Sequence, residues 1–102
     1  QMISDKQFED AFTAAGGWFF LTQFELIKAW TDSKAELVNI IYGKGFDAKK
    51  TGSNTRISSS LRIINNGRGK EALMRIRDSK SINREHPEAE RMARKLLSEY
   101  FA

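Results

Sequence analysis

The chain contains no cysteine. That removes disulfides, thiolate metal sites and thiol catalysis together, and it fits a cytoplasmic setting. Histidine occurs once, at His86, and one histidine without cysteine cannot build the usual zinc set. Proline also occurs once, and Pro87 suits the first turn of a helix. Long apolar runs are missing: the longest, Trp18 to Leu21, falls far short of the ~18 residues that cross a bilayer. The N-terminus lacks the basic-then-apolar order of a signal peptide. A membrane is therefore not an expected partner.

What is present suffices for a folded core. Hydrophobic residues make up 40% of 102 residues and aromatics 11%, including seven Phe and two Trp. A chain of this size and composition is expected to form a single domain over residues 1–102 and not a disordered segment.

Net charge is only +4, but it is unevenly spread. Residues 1–43 carry a balance of −3, residues 44–80 a balance of +7, and residues 81–102 are neutral. Concentrated basic charge is the electrostatic footprint of a polyanion binder. The plain alternative is a solvated basic face.

Helix signals dominate the chain. Ser4 and Gln7 form a capping box, with Ile3 and Phe8 placed as a hydrophobic staple, so a first helix is expected over about 5–15. Thr22 and Glu25 suggest a second capping box and a helix from about 23 to 31. Ser33 and Glu36 suggest a third, opening a helix over about 34–43 that stops at Gly43 or Gly45. Residues 46–54 read as turn chemistry. A fourth helix follows over about 55–66, with Ile57, Leu61 and Ile64 inward and Arg56, Ser59, Ser60 and Arg62 off that stripe. A short fifth helix is expected over about 70–78, then a polar connection, then a sixth helix from Pro87 with an apolar stripe through Met92, Leu96 and Tyr100. The expected architecture is all-α: a compact bundle of five to six short helices.

The fourth helix carries the functional expectation. Its inward stripe can hold it to the domain, while its other face offers short polar groups and arginine. Arg56 has the chemistry to read guanine and Asn54 to read adenine. Lys49, Lys50, Thr51, Ser53 and Thr55 stand where phosphates would be met, helped by the positive end of the helix dipole. Ser59, Ser60 and Arg62 continue the face, with Arg68 and Lys70 as further phosphate contacts just beyond it. Arg75 and Arg77 on the fifth helix stand as supporting phosphate contacts. Residues 34–66 thus resemble helix-turn-helix DNA-binding domains as a class, with about ten residues between the helices where three or four are usual. The resemblance implies a second helix laid in the major groove of DNA.

Enzyme chemistry finds no support in the pattern. Gly67-Arg68-Gly69-Lys70 lacks the spacing of a phosphate-binding loop. No serine and acid are spaced to form a triad with His86, and no carboxylate stands out as a general acid. The expectation is a non-catalytic nucleic-acid-binding domain without cofactor or metal, DNA favoured over RNA. The competing reading is an interaction adaptor whose basic face docks an acidic protein. The sixth helix, ending in Tyr100 and Phe101, offers a surface for a homodimer.

Overall fold

The computed structural model describes residues 2–102. These form seven helices, and no strand occurs among the described residues: α1 (Asp5–Ala15), α2 (Gly17–Ala29), α3 (Lys34–Tyr42), α4 (Lys50–Asn65), α5 (Gly69–Asp78), α6 (Lys80–Glu85) and α7 (Ala89–Phe101). The radius of gyration is 13.0 Å, the value expected of a compact folded chain of about 100 residues.

Two helices organise the core, α2 and α4. The first cluster joins Phe8 and Ala11 of α1, Phe20, Leu21 and Phe24 of α2, Ile63 of α4, Ala72, Leu73 and Ile76 of α5, and Ala89, Ala93 and Leu96 of α7. The second joins Phe19 and Ile27 of α2 to Leu37, Val38 and Ile41 of α3 and Ile57 of α4. Ile64 of α4 packs against both. Each fully buried Phe or Leu contributes about 1.5–3 kcal/mol by leaving water. α2 buries residues on more than one side, with Phe19 and Ile27 in one cluster and Phe20, Leu21 and Phe24 in the other, and leaves Glu25 and Lys28 exposed.

Several boundaries match the local signals. Ser4 accepts from the Gln7 backbone and Gln7 returns the bond, so α1 begins as the capping box requires. Ser33 accepts from Glu36 N and opens α3, although Glu36 does not complete the box.

Two helices start earlier than their sequence suggests. α2 begins at Gly17, not Gln23, because Gly16 alone makes the corner. Its φ of +82° is left-handed, a conformation that suits glycine. Its N–H donates to Phe12 O at 3.0 Å, closing α1, and its own carbonyl accepts from Phe20 N at 2.9 Å, opening α2. Thr22 then lies inside the helix, and its hydroxyl donates back to Trp18 O at 3.0 Å instead of capping. α4 begins at Lys50, not Thr55, so only residues 43–49 separate it from α3. The expected turn residues Gly52, Ser53 and Asn54 are helical, and Asp47 folds back against Gly52 and Ser53, as described below.

The polar connection after α5 contains a further short helix, α6, capped by Ser79 accepting from Ile82 N. The apolar stripe of α7 is spent inside the chain. Ala89, Ala93 and Leu96 are buried, Phe101 packs against Phe24, and Tyr100 donates to Glu25 at 2.9 Å. No helix among the described residues is long and apolar enough to cross a membrane.

Candidate nucleic-acid interface

The basic segment divides into cations that hold the fold together and cations that face solvent. Arg56 belongs to the first group. Its Nε donates to both carboxylate oxygens of Asp47, at 3.0 and 3.1 Å, and its Nη1 donates to Ala15 O at 2.7 Å. Its guanidinium also lies 5.7 Å from the centre of the Phe19 ring. Asp47 accepts a further bond from Ser53 Oγ at 3.2 Å. One arginine thus ties the α1–α2 corner and the α3–α4 link to the first turns of α4. The expected guanine reader is committed to the fold.

Arg68 behaves alike. It bonds Glu71 and Asp5, reaches Ser4 O, and lies 4.3 Å from the centre of the Phe8 ring. Only 11% of its side chain is exposed. The hydrogen bonds it donates to the Glu71 carboxylate raise its pKa above the ordinary arginine value. Arg75 pairs with Glu9 across α1 and α5 and sits over Phe12. That hydrogen bond holds the Glu9 carboxyl below its ordinary value and raises Arg75. Arg77 pairs with Asp78, whose carboxyl is lowered by the same bond. Three phenylalanines thus each carry an arginine that is also held by a carboxylate.

Two of the expected contact serines are inside the protein. Ser53 and Ser60 are both 0% exposed. The buried side of α4 runs through Ser53, Ile57, Ser60 and Ile63, with Leu61 and Ile64 only half-buried. α1 packs closely on α4, with Ile63 of this side joining Phe8 and Ala11 of α1. Ser60 Oγ has no hydrogen-bond partner among the described residues. Ser59 is half-buried.

The expected anion site at the start of α4 is also answered from within. The Asp47 carboxylate lies against the first turn, so close that a Cβ on Gly52 would stand 3.0 Å from it. No side chain caps the helix, and this carboxylate supplies the negative charge that the dipole favours there.

What remains on the outside is a coherent strip. Lys49, Lys50, Thr51, Asn54, Thr55 and Arg62 are exposed. Lys50, Asn54, Ser58 and Arg62 follow each other at i, i+4 spacing, so they form one row on the helix, about 18 Å from end to end. Lys34, the first residue of α3, reaches into this row and bonds Ser58 Oγ. Lys34 was not anticipated, since it lies in the acidic third of the sequence, and no local pattern points to it. Lys34, Lys49, Lys50 and Arg62 have no carboxylate partner among the described residues. No Asp or Glu occurs anywhere between Asp47 and Glu71. Arg62 and Asn66 also line a small hollow with Met2, Ile3 and Gln7 of the N-terminal region.

Lys70 is exposed but lies elsewhere, in a groove of 720 Å³ with Phe12, Met74 and Asp78. The structure therefore brings Lys49, Lys50, Thr51, Asn54, Thr55 and Arg62 together, adds Lys34 and Ser58, and sets Lys70 apart. No group of three or more His, Asp or Glu that could hold a metal ion occurs among the described residues. Comparison with protein-family models, curated proteins and solved structures finds no match for this chain.

Proposed function

We propose that this chain is a non-catalytic nucleic-acid-binding domain that holds the phosphate backbone of DNA along the outer face of α4. The observation that carries the reading is a 16-residue helix without a single carboxylate, whose exposed row carries Lys50 and Arg62 and receives Lys34 from α3. A solvated helix face more often alternates acids with bases, which supports it by i, i+4 pairing. Short hydroxyl and amide groups between the cations suit phosphate oxygens, which accept hydrogen bonds.

DNA is favoured over RNA because the major groove of the B-form admits a helix, while that of A-form RNA is too deep and narrow for side chains to read. In the helix-turn-helix form of this reading, α3 crosses the backbone and α4 faces the groove, with Asn54 placed to reach a base and Arg56 removed from that role. The stoichiometry that goes with it is one chain per site, since the stripe of α7 that would join two copies is used within the fold.

The test is an anisotropy titration of labelled mixed-sequence duplex DNA and RNA at low salt. Lys50→Ala and Arg62→Ala are expected to weaken DNA binding, and Arg77→Ala, whose charge is answered by Asp78, to leave it nearly unchanged. Absence of DNA binding at low salt sinks the reading and leaves the cationic strip to an acidic protein partner.

A further inference from the structure

The row of cations on α4 ends at Arg62, and there a second helix joins it. One turn beyond Arg62 stands Asn66, the C-cap of α4. These two residues line a hollow of 290 Å³ together with Met2, Ile3 and Gln7 of the N-terminal region.

The polar side chains of this hollow supply donors and no charged acceptor. Arg62 is exposed, and no carboxylate among the described residues answers its charge. Gln7 is held by the capping box of α1, where its Oε1 accepts from Ser4 N at 2.9 Å. That bond decides which end of the amide is which. It leaves Nε2, a donor only, without an acceptor among the described residues. Asn66 donates from Nδ2 to Arg62 O at 2.7 Å, which closes the end of α4. No acid lines the hollow. The nearby acids of α1 are engaged elsewhere, Asp5 by Arg68 and Glu9 by Arg75.

A guanidinium and an amide donor that converge with no acid between them select an anion with several acceptor oxygens. A phosphate has that chemistry, since it takes paired bonds from arginine and further bonds from side-chain amides. Room is not limiting, because the hollow is roughly ten times a water molecule's share of liquid volume. Position narrows the occupant further. In the helix-turn-helix arrangement the N-terminal residues of the second helix approach base edges. The opposite end of α4, at Arg62, then meets the sugar-phosphate backbone that flanks the groove.

We infer that the hollow between the first turn of α1 and the end of α4 seats one backbone phosphate of duplex DNA, with Arg62 and Gln7 as its donors. This rests on the nucleic-acid reading of α4 and adds α1 to the interface.

The test uses Gln7→Glu in the full chain. Glutamate serves as well as glutamine at this place in a capping box, so α1 keeps its start while the outward donor becomes an anion beside Arg62. Labelled mixed-sequence duplex DNA is titrated by anisotropy at several salt concentrations. Gln7→Glu is expected to weaken binding about tenfold. It should also lower the slope of log affinity against log salt by about one, because the new carboxylate takes Arg62 from the phosphate. The thermal unfolding midpoint should stay nearly unchanged. Thr13→Glu adds the same charge at an exposed position of α1 outside the hollow, and its affinity should stay within about twofold, since salt screens distant charges. In the unsubstituted chain, the NMR signal of the Gln7 side-chain amide is expected to shift when duplex is added, while that of the buried Gln23 does not. A Gln7→Glu chain that binds no more weakly than Thr13→Glu, or a Gln7 amide signal that does not move, overturns the inference. If Lys50→Ala still weakens binding in that case, the reading of α4 stands without α1. If duplex DNA does not bind at low salt, both are overturned.

Discussion

Arg56 and Asp47 meet through one N–H shared between two oxygens, Nε lying 3.0 Å from Oδ1 and 3.1 Å from Oδ2. The pair is partly shielded, with side chains 30% and 15% exposed. Arg56 also closes the last carbonyl of α1, so three segments depend on one guanidinium. Charge-assisted bonds of this kind are each worth about 1.5–3 kcal/mol when a partner is removed. Arg56→Ala is therefore expected to lower unfolding free energy by about 2–3 kcal/mol. A double-mutant cycle with Asp47→Asn should give a coupling of about 1 kcal/mol or more in urea denaturation. Additive effects of the two substitutions would show that the pair is not the link.

Gly16→Ala tests the same corner from the other side. The added Cβ would stand 2.6 Å from Arg56 Nη1, and φ is +82°. The arginine tip can move, but the backbone conformation is strained for any residue with a Cβ. The expected loss is about 1–3 kcal/mol, read by thermal or urea unfolding. Gly67→Ala, at φ +73° but with open space around it, should cost less.

Ser60→Ala is expected to stabilise the protein. The hydroxyl is buried without a partner, and alanine is the better helix former. A gain of about 1 kcal/mol follows from removing an unsatisfied buried group. Because Ser60 is fully buried, nucleic-acid affinity should not change. A loss of stability would mean that the hydroxyl is satisfied by water.

The Glu9–Arg75 contact predicts one part of the acid response. Glu9 has its carboxyl lowered in the folded state from an ordinary value of 4.5 by the hydrogen bond from Arg75. The unfolded chain therefore binds its proton first as pH falls. The stability that this contact contributes is fully present above the unfolded value and is lost as pH drops through the lower folded value. Glu9→Gln should flatten the pH dependence of unfolding below about 4.5 and leave the slope near neutrality unchanged. Denaturant midpoints measured across that range decide it.

Much of the architecture was legible from local signals. The Ser4–Gln7 box marked α1, Ser33 marked α3, and the stripe of Leu96 and its neighbours marked α7. The start of α2 was not, because Thr22 and Glu25 imitate a capping box while Gly16 makes the real corner. The register of α4 was shifted for a similar reason. Serine reads as a surface residue, yet Ser53 and Ser60 are fully buried on the inner side of α4. Charge was the least legible feature. Arg68 and Arg75 look free in the linear sequence, but their carboxylate partners include Asp5 and Glu9, 63 and 66 residues away. The segregation into an acidic first third and a basic middle is thus partly internal complementarity. Lys49, Lys50, Thr51, Asn54, Thr55 and Arg62 kept the exposure expected of them, whereas Lys34 and Ser58 were joined only by folding.

The central claim, that the strip on α4 binds nucleic-acid phosphates, is tested most directly by the salt dependence of duplex DNA binding. Each phosphate neutralised contributes about one unit to the slope of log affinity against log salt. The account predicts that Lys50→Ala combined with Arg62→Ala lowers that slope by about two, while Arg77→Ala leaves it unchanged. A slope that stays the same in the double variant, or one that falls equally in Arg77→Ala, would contradict it.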